Sequence, residues 1–168
     1  MSNAAPPAVA AREQFMLAAL DQARRSFAAG GPPVGACLVE GGSIVARAQN
    51  AVIAELDVTA HAEMMLLRSY CRDTRSLNLA GCELYVTIEP CLMCFSASSY
   101  AGIEAIYFGA PISAMHRYTG TEIPVDTAQL QKREGWPSLH GGILKSECTA
   151  LLDEWGRLHG RRGQGGTK

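Results

Sequence analysis

Two short stretches of the chain carry side chains able to act together chemically. "TAHAEMM", residues 59–65, places His61 two residues before Glu63, and "PCLMC", residues 90–94, places Cys91 three residues before Cys94. Alone, a C-x-x-C serves equally well as a redox pair, half of a metal site or two buried thiols. Read with His61 it becomes more specific. Residues two apart do not share a helix face, so His61 and Glu63 converge on one point only in a first turn. Cys91 and Cys94, three apart, do share a face, and Pro90 is tolerated in a first turn. Two helix N-termini can therefore aim one imidazole and two sulfurs at a single position. A helix N-terminus also favours the thiolate that a metal requires.

One histidine and two cysteines make three protein ligands, the number found in catalytic zinc sites, which leave a fourth position open. Zinc lowers the pKa of bound water from about 16 to about 7, and a nearby carboxylate can accept the proton. Glu63 is suited to that task if it stays off the metal, since as a fourth ligand it would close the site. A structural zinc would want a further Cys or His, and His116, His140 and His159 match no such spacing. Cys37, Cys71, Cys82 and Cys148 sit in or beside apolar patterns and read as small buried hydrophobes.

The elements that must position these groups follow from periodicity. Residues 10–29 are helical, stopped by Gly30-Gly31-Pro32-Pro33. "VGACLVEGGSIVARAQN" reads as a hairpin turning at Glu40-Gly41-Gly42. A connecting loop follows, with Thr59 as N-cap of a helix over 60–73. Residues 82–89 form a strand, a helix opens at Pro90 or Cys91 and runs to Tyr100, and 105–110 form a fourth strand. Segment 111–140 is weakly patterned, with a helical turn or two near "DTAQLQKRE". "GGILKS" is a candidate fifth strand and "ECTALLDEWGRLH" a closing helix. The order predicts an α/β fold of three layers, α-β-α, a mixed five-stranded sheet flanked by helices. Residues 1–9 are expected to be disordered, 10–160 to form one domain and 161–168 a flexible tail.

Fifteen basic against sixteen acidic residues give a net charge of −1, which argues weakly against a chain devoted to neutralising nucleic-acid backbone. No apolar run approaches the roughly 18 residues of a membrane span, and no secretion signal opens the chain, so a cytoplasmic protein without membrane contact is expected.

The pair H-A-E and P-C-L-M-C, in this order, is the signature of zinc nucleobase deaminases. With "PVGACLV", Asn50, "LYVTIEPCLMC" and "IYFGA", the chain resembles the cytidine-deaminase-like superfamily over roughly residues 10–158. Within it, the resemblance is to the branch of tRNA adenosine deaminases, guanine deaminases and fungal-type cytosine deaminases. It implies a Zn²⁺ cofactor on His61, Cys91 and Cys94, and Glu63 as the carrier of protons from water to ring nitrogen and leaving amine. It implies substrate contacts from Asn50 and Ala62, with backbone N–H groups at Ala62 and Cys91 assisting at the metal-bound oxygen.

Residues 111–123 depart from the tRNA enzymes, which carry a run of small residues where this chain has His116, Arg117 and Tyr118. Glu122 stands where bacterial guanine deaminases carry an acidic residue, and reads equally well as a solvated loop charge. Tyr118 and Trp155 are candidates for stacking on a base. The first expectation is a small nucleobase-like substrate, guanine-type before cytosine-type; the alternative is a wobble adenosine of tRNA. A zinc-bearing partner subunit without catalysis is a third possibility, opposed by Glu63. Relatives are dimers or larger, which implies a homodimer.

Overall fold

The computed structural model describes residues 8–123 and 135–159. Helix α1 (Val9–Ala28) is followed by the hairpin β1 (Gly35–Glu40) and β2 (Ser43–Gln49), the short helix α2 (Val52–Glu55) and helix α3 (Ala62–Thr74). Then come β3 (Cys82–Ile88), α4 (Leu92–Tyr100), β4 (Ala105–Ala110), α5 (Ile112–Thr119), β5 (Ser138–Gly141) and α6 (Lys145–His159). One sheet runs β2-β1-β3-β4-β5, with β1 antiparallel to β2 and β3, and β3, β4 and β5 mutually parallel. The hairpin closes at Gly41 and Gly42, both at positive φ (56° and 77°), as a two-residue turn between right-twisted strands demands.

Burial follows sequence pattern. Every residue of β1 except Glu40 is buried, and every residue of β3 except Glu83, as expected of strands covered on both faces. Edge strand β2 alternates instead between exposed and half-buried positions. Helix α1 lays Phe15, Met16, Ala19, Leu20 and Ala23 against the sheet, a stripe at helical spacing. On that face Phe15 meets Tyr85 edge-on at 5.1 Å between ring centroids, and α6 packs on β4. Helices α3 and α4 pack together, with α3 on β1 and β2. Gly35 shows how closely α1 is seated: a Cβ there would strike the Ala19 carbonyl and the Ala23 amide.

Four expectations shift. The loop after β2 contains α2. Helix α3 opens at Ala62 with His61 as N-cap, not Thr59; the Thr59 hydroxyl instead bonds Asp57 (2.7 Å) and receives Arg68 (2.7 Å). The segment after β4 begins with helix α5, whose Pro111 start, apolar Ile112 and Met115 and Gly120 stop were too short a pattern to stand out. The fifth strand is Ser138–Gly141 rather than "GGILKS", because Gly142 at φ 94° and Leu144 at φ 49° turn the chain out of extended conformation. The "DTAQLQKRE" turns and the tail 161–168 lie outside the described residues, as does the N-terminal segment up to residue 7; Val9 already belongs to α1. Among the described residues no helix is long and apolar enough to cross a membrane.

Gly35→Ala is expected to lower unfolding stability by about 2–3 kcal/mol through overpacking against α1, read as a lower urea midpoint at unchanged slope.

Candidate active site

Parallel β3 and β4 end on the same side of the sheet, and antiparallel β1 starts there while β2 ends there. The elements at that edge line one cleft of about 190 Å³: Pro32 and Val34 before β1, Asn50 after β2, His61 and Glu63 at the start of α3. Ile88, Glu89 and Cys91 close its floor after β3, and Ile112, Met115, Thr119 and Glu122 come from α5 and beyond. This is the end of an open α/β sheet at which ligands are generally bound.

His61 and Cys91 are both N-caps with extended backbone, φ/ψ −64°/155° and −69°/169°, and neither side chain caps its own helix. Both are thereby free to turn toward the cleft. The Sγ atoms of Cys91 and Cys94 are 3.7 Å apart, and His61 Nδ1 lies 3.7 Å from the first and 3.6 Å from the second. A tetrahedral zinc with bonds of about 2.3 Å to sulfur and 2.0–2.1 Å to nitrogen would set these edges at about 3.8 Å for S···S and about 3.6 Å for S···N. The triangle fits a zinc ion without rearrangement, and these are the residues whose donor atoms cluster tightly enough to hold a metal.

The electrostatics agree. The hydrogen bond with Cys94, reinforced by His61 and opposed by burial, draws the Cys91 thiol down to about 4. The same bond and burial push Cys94 up. His61 is held above its ordinary value, chiefly by its hydrogen bond to Cys91. Metal ligation needs thiolates and a neutral imidazole, so loading this site releases protons. Glu63 is 3% exposed, and burial raises its carboxyl to about 7 against a weaker opposing pull from its own backbone N–H. Its Oε2 is buried with no hydrogen-bond partner among the described residues. An unpartnered carboxyl oxygen beside an open ligand triangle is a group placed to exchange protons with something that enters the cleft.

Asn50 is 6% exposed and lines the cleft. Its Oδ1 accepts the Val52 N–H (3.1 Å) in a turn, which leaves the amide NH₂ as its donor to a ligand in the cleft. Its carbonyl is within reach of the buried Ser26 hydroxyl (3.0 Å), which also meets the Pro32 carbonyl (2.6 Å). Glu122 does line the cleft, and Thr119 donates to its Oε1 (3.0 Å). Ala62 is fully buried behind the lining, so only its backbone can serve the site.

Tyr118 and Trp155 are placed elsewhere. The Tyr118 ring lies over Gly156, where a Cβ would strike it, and its hydroxyl donates to Asp153 (2.8 Å), docking α5 on α6. Trp155 is 9% exposed and stacks on His159 at 5.8 Å within the last helix. Neither is among the cleft residues, so the stacking expected of them is replaced by helix packing. The groups missed in the sequence are the apolar walls, Val34, Val52, Ile88, Ile112 and Met115, together with Glu89, which receives the Ile112 N–H (3.0 Å). A helical reading of 112–119 would have found two of them.

The family model of the cytidine and deoxycytidylate deaminase zinc-binding region matches residues 9–110. A tRNA-specific adenosine deaminase of Agrobacterium fabrum is 43% identical over 149 residues, covering 89% of this chain and 96% of that protein. A structure from studies of A-to-I editing by tRNA:A34 deaminases superposes with a TM-score of 0.71 at 34% identity, covering 83% of this chain and 99% of the other. Guanine deaminase of Bacillus subtilis superposes with a TM-score of 0.57 at 28% identity over 71% of this chain and 89% of the other. The α3 and α4 starts, the ligand triangle and this match from α1 through β4 place the chain in the cytidine and deoxycytidylate deaminase family of zinc-dependent hydrolytic deaminases.

Proposed function

We propose that the protein is a tRNA adenosine deaminase that converts a wobble adenosine to inosine. What supports the assignment is sequence identity to such enzymes: 43% across 89% of this chain, and 34% in the structural superposition against 28% for a guanine deaminase. The free-base substrate expected first from residues 111–123 gives way on this balance.

The cleft is consistent with it. At about 190 Å³ it is well below the roughly 300–1,000 Å³ that drug-sized ligands fill, so it takes a single base while sugar and phosphates stay outside. A base on a nucleic acid reaches such a pocket by leaving its stack. The near-neutral total charge is no obstacle, since one loop presents few phosphates.

We assign His61, Cys91 and Cys94 as zinc ligands, Glu63 as the proton carrier and Asn50 as a substrate contact. Zinc supplies an open coordination position and the Lewis acidity that makes water a nucleophile near neutral pH. Glu63 takes the proton of the attacking water on its unpartnered Oε2 and passes it to ring nitrogen N1 of adenine. It then takes the remaining hydroxyl proton from the oxygen now bonded to C6 and gives it to the amine there, so that the C–N bond breaks, a C6 carbonyl forms, ammonia leaves and the carboxylate is regenerated. A carboxyl near 7 is matched to both directions of transfer at neutral pH. Val34, Val52, Ile88 and Met115 exclude bulk water from the ring, and the Asn50 NH₂ donates to an acceptor on it.

A guanine-type activity is the second possibility, favoured by one observation: the Glu122 carboxyl at the cleft, able to accept from an exocyclic amine. We also propose a homodimer. Between α3 and α4 runs a groove lined by Met64, Leu67, Cys71, Leu77, Ala97 and Tyr100, with Leu77 and Tyr100 84% and 88% exposed. Apolar area of this kind on a single chain marks a contact surface.

A panel of an adenosine-containing anticodon stem-loop, free adenine, guanine and cytosine, read by ammonia release and inosine formation, is expected to show turnover of the stem-loop. Turnover of guanine alone would reverse the assignment. Metal analysis should find about one zinc per chain, lost in Cys91→Ala. Glu63→Ala should keep that zinc while kcat falls by at least about 10²-fold; retained turnover removes Glu63 from its role. Sedimentation should give a dimer that Ala97→Arg dissociates, and a wild-type monomer would retire the groove as an interface.

A further inference from the structure

Helix α5 faces the cleft with Ile112, Met115 and Thr119, and so forms the wall opposite the ligand triangle. Its start is weakly provided for. Pro111 is the N-cap and has no side-chain acceptor, so the first-turn N–H groups must find partners elsewhere. The Ile112 N–H finds the Oε2 of Glu89 at 3.0 Å. Glu89 is half-buried, follows the last residue of β3 and stands two residues before Cys91. Its backbone N–H donates to the Ala110 carbonyl at 2.8 Å. One residue thus laces the β3–α4 loop to the β4–α5 junction twice, by main chain and by side chain. The first of these loops carries the sulfurs and the second carries the apolar wall.

We propose that Glu89 is a positioning residue whose carboxyl sets the separation between the thiolate loop and α5, and thereby the width of the cleft that grips the base. It differs from an ordinary helix cap in what its loss would do. The other end of α5 is anchored on α6 by Tyr118, through its ring over Gly156 and its hydroxyl on Asp153, so α5 stays folded and docked. Only its N-terminal half is released, next to Cys91. The triangle of His61, Cys91 and Cys94 rests on α3 and α4 and does not need α5. Losing the Glu89 contact should therefore weaken the hold on the base and spare both metal and proton transfer. A glutamine would keep the bond, since its carbonyl oxygen accepts as well, whereas alanine has no acceptor and aspartate falls one methylene short.

The test compares zinc-loaded wild type with Glu89→Ala, Glu89→Asp and Glu89→Gln, the aspartate serving where the alanine variant does not fold. Three readouts are zinc content, amide hydrogen exchange at Ile112, and kinetics on an adenosine-containing anticodon stem-loop. Glu89→Ala is expected to keep about one zinc per chain, to exchange the Ile112 amide about tenfold faster, and to raise KM about tenfold with kcat within about threefold. Glu89→Gln should restore both exchange and KM. Unchanged exchange and KM in the alanine and aspartate variants, a loss confined to kcat, a loss of zinc, or a glutamine variant as impaired as alanine would each overturn the proposal. The kinetic arm rests on the proposed substrate and the exchange arm does not. A wild type inactive on the stem-loop therefore counts against the substrate, while exchange at Ile112 still decides the role of Glu89.

Discussion

The molecule depends on the meeting of two helix starts that nothing local holds together. His61 and Cys91 are 30 residues apart, yet their donor atoms must lie within 3.7 Å for a metal to bridge them. The sheet alone enforces this. Antiparallel β1 and β2 and parallel β3 and β4 bring a strand start and three strand ends to one edge, and α3 and α4 leave from that edge with the same extended N-cap geometry. Neither cap is Ser, Thr, Asp or Asn, and neither side chain caps its helix. Giving up two such caps costs about 1 kcal/mol each, and the same sacrifice leaves imidazole, thiolate and first-turn N–H groups turned toward the cleft. Local stability has been exchanged for a site that only a ligand completes.

Glu63 extends that logic one residue into α3. Its carboxyl is taken from water and its Oε2 receives no bond in return, a loss of about 1–3 kcal/mol for a buried polar atom. The helix start is what makes so costly a placement tolerable, because the positive end of the helix dipole favours the carboxylate. Burial and dipole oppose each other, and burial prevails, holding the group near 7 rather than at the value of an exposed glutamate. The carboxyl is thus tuned chiefly by burial, against weaker pulls from its own backbone N–H and the Cys94 side chain, while Oε2 is left without a partner.

The chemistry was legible in the sequence because it resides in residue type and spacing. H-A-E and P-C-L-M-C keep their meaning wherever the chain places them, and the strands between them are strong enough in pattern to be read. The walls of the cleft were not legible. Ile112 and Met115 belong to an eight-residue helix, two turns with one apolar face, embedded in a segment of glycines and prolines. A structureless stretch of some thirty residues in a compact domain was itself a warning that an element had been overlooked. Tyr118 and Trp155 misled for a related reason. An aromatic ring fits equally well against a base or against a glycine of a neighbouring helix, and only Gly156, 38 residues beyond Tyr118, decides between them. The fifth strand failed by a shift of three residues, since Ile143 and Leu144 are apolar because they pack on the core from a turn, not because they pair in the sheet.

Reactivity and selectivity therefore sit on different parts of the fold. The reacting groups come from the starts of α3 and α4, fixed by the central strands. The remaining cleft walls come from the start of β1, the end of β2 and α5, fixed by contacts to α1 and α6: Ser26 beneath Pro32 and Asn50, and Tyr118 over Gly156. Substitutions in α5 or α6 can then alter which ring is held while the ligand triangle stays as it is. Residues 112–122 adjoin the metal loop through the Glu89 contact, so a change of wall is felt at the cleft without passing through the sulfurs. In this chain the wall carries Met115, Thr119 and Glu122, and the Glu89 carboxyl ties its start to the loop that bears Cys91.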